Sequence, residues 1–159
     1  MCIRDRLGFA LVEGGATRSA SVRSALAATG EVEAVVVHDA ARPLAPPELF
    51  TRTLAALSDA DAAIAAARVA DTIKEADPDG RVVRTHDRSR LWAIQTPQAF
   101  RAGALRAALT VADDILAAAT DDAWLVERAG GTVRVVESSP ANFKVTTPHE
   151  LAIAERLLC

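Results

Sequence analysis

Residues 38–43 read His-Asp-Ala-Ala-Arg-Pro, directly after the apolar run Glu33–Val37. A carboxylate at the end of a buried strand is well placed to ligate a hard cation such as Mg²⁺, so Asp39 is the candidate metal ligand. Arg42, three residues on, can grip a phosphate through two parallel N–H donors. The alternative is a helix-capping Asp with a surface Arg. A polar pair gains little structurally at that point, which favours function. His38 reads as a packing residue rather than a catalytic base.

A second candidate is Gly14-Gly15-Ala16-Thr17-Arg18-Ser19-Ala20-Ser21, which joins a strand-like run to a helix-like one. Glycines admit a ligand close to the backbone, and a helix N-terminus attracts anions. Arg18 and the serines can hold a nucleotide, or the segment is an ordinary tight turn with a serine cap. Further on, Asp71-Thr72-Ile73-Lys74, Arg88-Ser89-Arg90 and Gln95-Thr96-Pro97-Gln98 combine hydroxyls with guanidiniums. That set suits a phosphate dianion and equally a solvated hairpin. Lys144 is one of only two lysines among 18 basic residues. It either supplies positive charge at a phosphoryl centre or sits on the surface. Thr120-Asp121-Asp122 has the composition of a helix cap, and the structural reading is preferred for Thr120 and Asp121. Signatures of covalent catalysis and of a Walker A loop are absent from the sequence.

These residues sit in a chain of 159, half hydrophobic and a quarter charged, with net charge −3. The length suits one domain with a core of its own. The balance excludes a largely disordered chain and a basic nucleic-acid binder. No apolar run reaches the ~20 residues that span a bilayer. Cys2 and Cys159 offer neither a disulfide framework nor a zinc spacing, which fits a reducing, cytoplasmic setting. The opening MCIRDR lacks the pattern of a signal peptide.

The elements that position the candidates alternate. Phe9–Val12 reads as a short strand, with a helix capped by Ser19 or Ser21 after it. Glu33–Val37 is a buried strand, and Pro46-Pro47 opens a helix to about Leu57. Ala62–Ala67 is a small-residue strand. Val69–Glu75 and Arg81–His86 flank the turn Asp77-Pro78-Asp79-Gly80, giving an arm over about residues 69–96. Leu91–Gln95 returns to the sheet. Helices are expected at Ala99–Leu109 and Asp121–Ala129, then a strand at Thr132–Val136 and a helix at Pro148–Leu158. The fold class is α/β: a mostly parallel sheet with helices on both faces and a projecting β-hairpin arm. Ligands in such sheets bind beyond the carboxyl ends of the strands.

In this order and spacing the motifs resemble one family, the 2-C-methyl-D-erythritol 4-phosphate cytidylyltransferases. The carrying residues are GG-x-x-R-x-x-SV at Gly14–Val22, VHDAARP at Val37–Pro43, DTIK at Asp71–Lys74 and DRSRLW at Asp87–Trp92. They continue with QTPQAF at Gln95–Phe100, TDDA at Thr120–Ala123 and NFKVTTP at Asn142–Pro148. The resemblance implies a Rossmann-like fold and transfer of CMP from CTP to methylerythritol phosphate, with a divalent cation, Mg²⁺ or another, as cofactor. It implies Asp39 at the metal and Gly15, Arg18, Ser21 and Ala40 at the nucleotide. Arg42, Thr72, Arg88 and Thr96 would bind the polyol phosphate, and Lys144 and Arg42 would serve catalysis. It also implies a homodimer in which Thr72 and Arg88 on the arm complete the partner's site.

The sequence departs from the family in one large respect. The family's opening strand and glycine-rich loop, with its Arg and Lys, have no counterpart here, so the chain is expected to be weakly active or inactive. Ala16 stands where an acid is common, and Ser138-Ser139-Pro140 where a glycine is common. The alternatives are a sister enzyme for ribitol phosphate or another polyol phosphate, the front part of a bifunctional protein, and a non-catalytic dimerising fragment.

Overall fold

The computed structural model describes residues 10–158. Its central sheet has four strands: β1 (Ala34–Val37), β2 (Ala62–Arg68), β5 (Trp92–Arg101) and β6 (Val133–Glu137), in the order β1-β5-β2-β6. β3 (Lys74–Ala76) and β4 (Val82–Thr85) form a separate hairpin. The helices are α1 (Arg18–Ala27), α2 (Pro47–Ala55), α3 (Ala102–Ala108), α4 (Asp113–Ala118), α5 (Asp122–Arg128) and α6 (Pro148–Leu158).

Strand alternation sends side chains to two faces. Ala62, Ile64 and Phe100 point to a face covered by Leu26 of α1, Leu105 and Ala108 of α3, Leu116 of α4 and Leu125 and Val126 of α5. Ala63 and Ala99 point the other way, against Leu57, with Val36, Ala56 and Val136 around them. α2 packs on β5 and β2. The α/β class and the two covered faces match the sequence reading. Three of the four strands also share one direction, as expected, and the fourth is the exception. β1, β2 and β6 run the same way, but β5 lies reversed between β1 and β2, so two of the three ladders are antiparallel. A buried apolar run marks a strand without marking its direction, and the short connection from the arm feeds β5 in from the opposite end.

The small corrections have local causes. The expected strand at Phe9–Val12 begins outside the described residues, and Ala10–Val12 form no strand. The cap of α1 is Thr17, whose hydroxyl accepts from Ala20 N–H at 3.1 Å, not Ser19 or Ser21. β5 extends to Arg101, so α3 starts at Ala102 rather than Ala99. α4 has no counterpart in the sequence reading. The arm hairpin is shorter than its two sequence runs. Its turn is tied by Asp77, whose carboxylate accepts from Asp79 and Arg81 N–H, with Gly80 at φ +80°. No helix of the described residues is long and apolar enough to cross a membrane.

α6 begins with a reciprocal capping box. Glu150 N–H donates to the Thr147 hydroxyl, while the Glu150 carboxylate accepts from the backbone and hydroxyl groups of Thr146 and Thr147. These donors favour the charged form and lower its pKa from 4.5 to about 2. The folded-state value is depressed, so the stabilisation is complete above about 4.5 and is lost as pH falls toward 2. Urea midpoints of wild type and Glu150→Gln should therefore differ near neutrality and converge over that acid window. A gap independent of pH would show that the cap does not depend on the charge.

Candidate active site

The sheet end at which β1, β2 and β6 finish carries a cleft of about 330 Å³, lined by Arg18, Asp39, Arg42, Gln95, Thr96, Gln98, Asp121 and Lys144 among others. Five elements supply it. β1 delivers Asp39 in a turn closed by Arg42 N–H on the Asp39 carbonyl at 2.9 Å. α1 supplies Arg18 at its first residue. The loop after β6 supplies Lys144, held by Val145 N–H on the Ala41 carbonyl at 2.7 Å. The N-cap of α5 supplies Asp121.

β5 supplies the rest by breaking its own register. Gln98 pairs with Ile64 and Ile94 with Ala66, so Gln95–Pro97 bulge opposite Ala65. A bulge re-aims side chains, and Pro97 has no N–H to give to a ladder. Thr96 thereby reaches Asp39, whose backbone N–H donates to its hydroxyl at 2.9 Å. Because β5 is reversed, its N-terminal half lies at the end where its neighbours finish.

The electrostatics centre on one carboxylate. Asp39 has Lys144 Nζ at 3.1 Å, Arg42 Nε at 3.7 Å and Arg18 Nε at 3.8 Å. Arg18 also donates to the fully buried Asp122 at 2.6 Å. Burial pushes the Asp122 carboxyl above its usual range, with Arg18 opposing. The Arg42 side chain is 11% exposed. Its Nη1 donates to the Asn142 carbonyl at 2.7 Å, and its Nε is buried with no hydrogen-bond partner among the described residues. Burial lowers the Arg42 pKa and Asp39 partly restores it. A desolvated guanidinium with a spare donor is the half-made form of an anion site.

Asn142 is the hidden support. It is 1% exposed, and its amide donates to Gln95 Oε1 at 3.0 Å and to the Thr96 carbonyl at 2.9 Å. With its own carbonyl on Arg42, it ties the bulge, the Arg42 turn and the Lys144 loop together.

Of the residues singled out in the sequence, the cleft gathers Arg18, Asp39, Arg42, Thr96 and Lys144. It does not gather the others. Gly15 N–H donates to Ser21 Oγ at 3.0 Å, closing a tight turn outside the cleft. Ala40 is exposed beside Asp39 without lining it. Thr72 and Arg88 lie exposed at the arm, where Arg88 donates to the Ala70 carbonyl. Sequence reasoning missed Gln98, Asp122 and Asn142 as site residues. For Asp121 it preferred the cap and left a nearby role open. Asp121 does cap α5, through Trp124 N–H at 2.8 Å, but its other oxygen accepts from Gln98 at 3.1 Å. The signal available was position: all four stand inside the quoted motifs.

A larger hollow of about 570 Å³ between α1 and α3 has an apolar floor, including Leu26 and Leu109. Its arginines are engaged, Arg23 with Asp113 and Arg106 with the Gly30 carbonyl. It offers no comparable chemistry.

An α/β sheet with three cations around a strand-end carboxylate is a setting suited to phosphates. The family model for 2-C-methyl-D-erythritol 4-phosphate cytidylyltransferase matches residues 4–159, and the chain belongs to that family. The curated cytidylyltransferase of Parasynechococcus marenigrum is 48% identical over 148 residues, covering 92% of this chain and 66% of that protein. The Rhodococcus opacus protein is 49% identical over 149 residues, covering 93% and 65%. The crystal structure of the Thermus thermophilus cytidylyltransferase superposes with a TM-score of 0.84 at 38% identity, covering 96% of this chain and 74% of that one. The Anaerococcus prevotii synthase gives 0.81 at 36% identity, covering 91% and 65%. The chain thus spans just under two thirds of the length of these curated relatives.

Proposed function

We propose that the chain carries the acceptor side of a cytidylyltransferase that moves CMP from CTP to 2-C-methyl-D-erythritol 4-phosphate in the cytoplasm. The observation that carries the reading is Asp39, framed by Lys144, Arg42 and Arg18, with Arg42 Nε unpaired among the described residues. In the reaction an oxygen of the acceptor phosphate forms a bond to the α-phosphorus of CTP. The bond from that phosphorus to the β-phosphate oxygen breaks, and pyrophosphate leaves with the electron pair. No side chain becomes covalently attached. Arg42 and Thr96 hold the acceptor, Arg18 faces the nucleotide, and Lys144 meets the negative charge that builds at the α-phosphoryl group. The roles of Gly15, Ser21 and Ala40 at the nucleotide rest on the family motif alone.

The donor set fits a divalent cation carried in by substrate. Asp39 is the carboxylate on which the three cations converge, and the described residues include no cluster of three or more His, Cys, Asp or Glu side chains fit to hold a metal. Mg²⁺ commonly takes one or two carboxylates and completes its shell with water and phosphate oxygens. Bound there it would neutralise phosphate charge. Arg18, Arg42 and Lys144 are already engaged with the carboxylates of Asp39 and Asp122, so incoming phosphates gain from a counter-charge of their own.

The arm supports a homodimer. Every residue of β3 and β4 is exposed, including Val82 and Val83. A two-stranded hairpin alone is marginal in water, so a second copy is its natural seat, with Thr72 and Arg88 delivered to that copy's cleft.

Pyrophosphate release with CTP, Mg²⁺ and either methylerythritol phosphate or ribitol phosphate tests the reading. It is run on this chain and on the chain extended at its N-terminus to the relatives' length. The extended chain should turn over methylerythritol phosphate, and the 159-residue chain weakly or not at all. Preference for ribitol phosphate would reassign the acceptor. Two folded but inert proteins would leave a dimerising fragment as the better reading.

A further inference from the structure

His38 precedes Asp39 and looks at first like packing, since its ring lies 4.9 Å from that of Phe50. Both ring nitrogens are nevertheless engaged. Nε2 lies 3.2 Å from the Arg42 carbonyl oxygen, and Nδ1 lies 3.0 Å from the Thr96 hydroxyl. A carbonyl only accepts, so Nε2 carries the proton. With Nδ1 left bare it can only accept, and the single proton of the Thr96 hydroxyl is then directed at His38. The same oxygen accepts from Asp39 N–H at 2.9 Å. What Thr96 has left for the cleft is a lone pair.

We propose that His38 is a positioning residue that turns the Thr96 hydroxyl into a hydrogen-bond acceptor, which selects an alcohol group of the acceptor substrate rather than its phosphate. The identity of the substrate rests on the proposed function, and the direction of the hydroxyl rests on the contacts of the His38 ring. A phosphate dianion offers no proton and would meet the lone pair of Thr96 unfavourably. A neighbouring alcohol of a polyol phosphate offers the proton that Thr96 lacks. Arg42, with its unpaired Nε, is left to take the phosphate itself. The cleft then reads two features of its ligand, an anion and a hydroxyl beside it. His38 also braces the turn, because its Nε2–H fixes the carbonyl of the residue that carries the guanidinium.

The test uses the 159-residue chain labelled with ¹⁵N-histidine and two-bond ¹H–¹⁵N correlation spectra. There are three histidines, and His38→Phe identifies the signal. The expected result is an Nε2–H ring with an unprotonated Nδ1 that shifts in Thr96→Val. An Nδ1–H ring, or a ring protonated at both nitrogens, overturns the proposal, and neither readout requires turnover. Binding supplies the second arm. Thr96→Val should weaken methylerythritol phosphate about tenfold, the scale of one well-made hydrogen bond, and leave inorganic phosphate unchanged. His38→Phe should reproduce that pattern, and His38→Asn, which keeps an acceptor near Nδ1, should restore much of it. Equal losses for both ligands overturn the proposal. The expected tautomer together with failure to bind any polyol phosphate would count against the proposed function and would also remove the substrate half of this inference.

Discussion

In the extended chain, Arg42→Ala should lower kcat/KM for the polyol phosphate about 10²- to 10³-fold, the scale for losing one preorganised charged donor at a phosphoryl centre. The side chain is 11% exposed and its guanidinium is anchored at one end on the Asn142 carbonyl. The other end, Nε, lies buried 3.7 Å from Asp39, too far for a hydrogen bond. The fold has therefore already met the desolvation cost of this cation, and under the proposed function a substrate phosphate would supply the missing partner. Arg42→Lys does not rescue, because a point charge cannot hold the Asn142 carbonyl and a phosphate together in a fixed fork. Steady-state pyrophosphate release in the extended chain checks this, with phosphate binding to the 159-residue chain as a second readout. A loss below about tenfold, or 1.4 kcal/mol, would remove Arg42 from the acceptor site.

The second large effect belongs to Asp39. Asp39→Asn keeps the shape and removes the charge on which three cations converge. Under the proposed function it also removes the carboxylate that a substrate-borne metal would take. Turnover should fall about 10³-fold, in line with several kcal/mol of lost charge stabilisation. The metal concentration for half-maximal rate should rise, and excess Mg²⁺ should not restore the full rate. Asp39→Glu, which retains the charge, should recover part of it. Unchanged metal dependence in Asp39→Asn would move the metal to another ligand. Lys144 sharpens the test, because its Nζ lies 3.1 Å from the same carboxylate. If Asp39 served only to hold that lysine in place, the variant would lose rate with no change in its metal curve.

Much of this site was legible in the residues alone. Asp39, Arg42, Thr96 and Lys144 stood out because their types suit phosphate and their motifs follow strand-like runs. Those runs end on one side of the sheet. What stayed hidden was support. Asn142 carries no charge and sits next to an aromatic, and nothing in its neighbourhood announces that its amide spans two residues of another segment. Asp121 shows how one residue serves twice: a cap is recognisable from Thr120-Asp121-Asp122, but its second oxygen is spent on Gln98, a contact across 23 positions. The direction of β5 was illegible for a related reason. Hydrophobic pattern reports burial, whereas orientation depends on which end of the sheet the arm returns from. Gly15 and Ser21 have types suited to a nucleotide, and in this fold Gly15 N–H donates to Ser21 Oγ.

β2 is made almost wholly of alanine. Ala62, Ala63, Ala65 and Ala66 are fully buried, with Ala67 and Ile64 nearly so. Such side chains bring little transfer energy of their own, so this strand acts as a shim between two layers of helix. Its residues encode a thickness instead of a stickiness. That sets an unusual kind of sequence constraint on the middle of the molecule. Elsewhere in a core, drift among Leu, Ile and Met trades similar volumes at modest cost. Along β2 there is no similar volume to trade, and the neutral paths open to the strand lead only to residues as small as those already there.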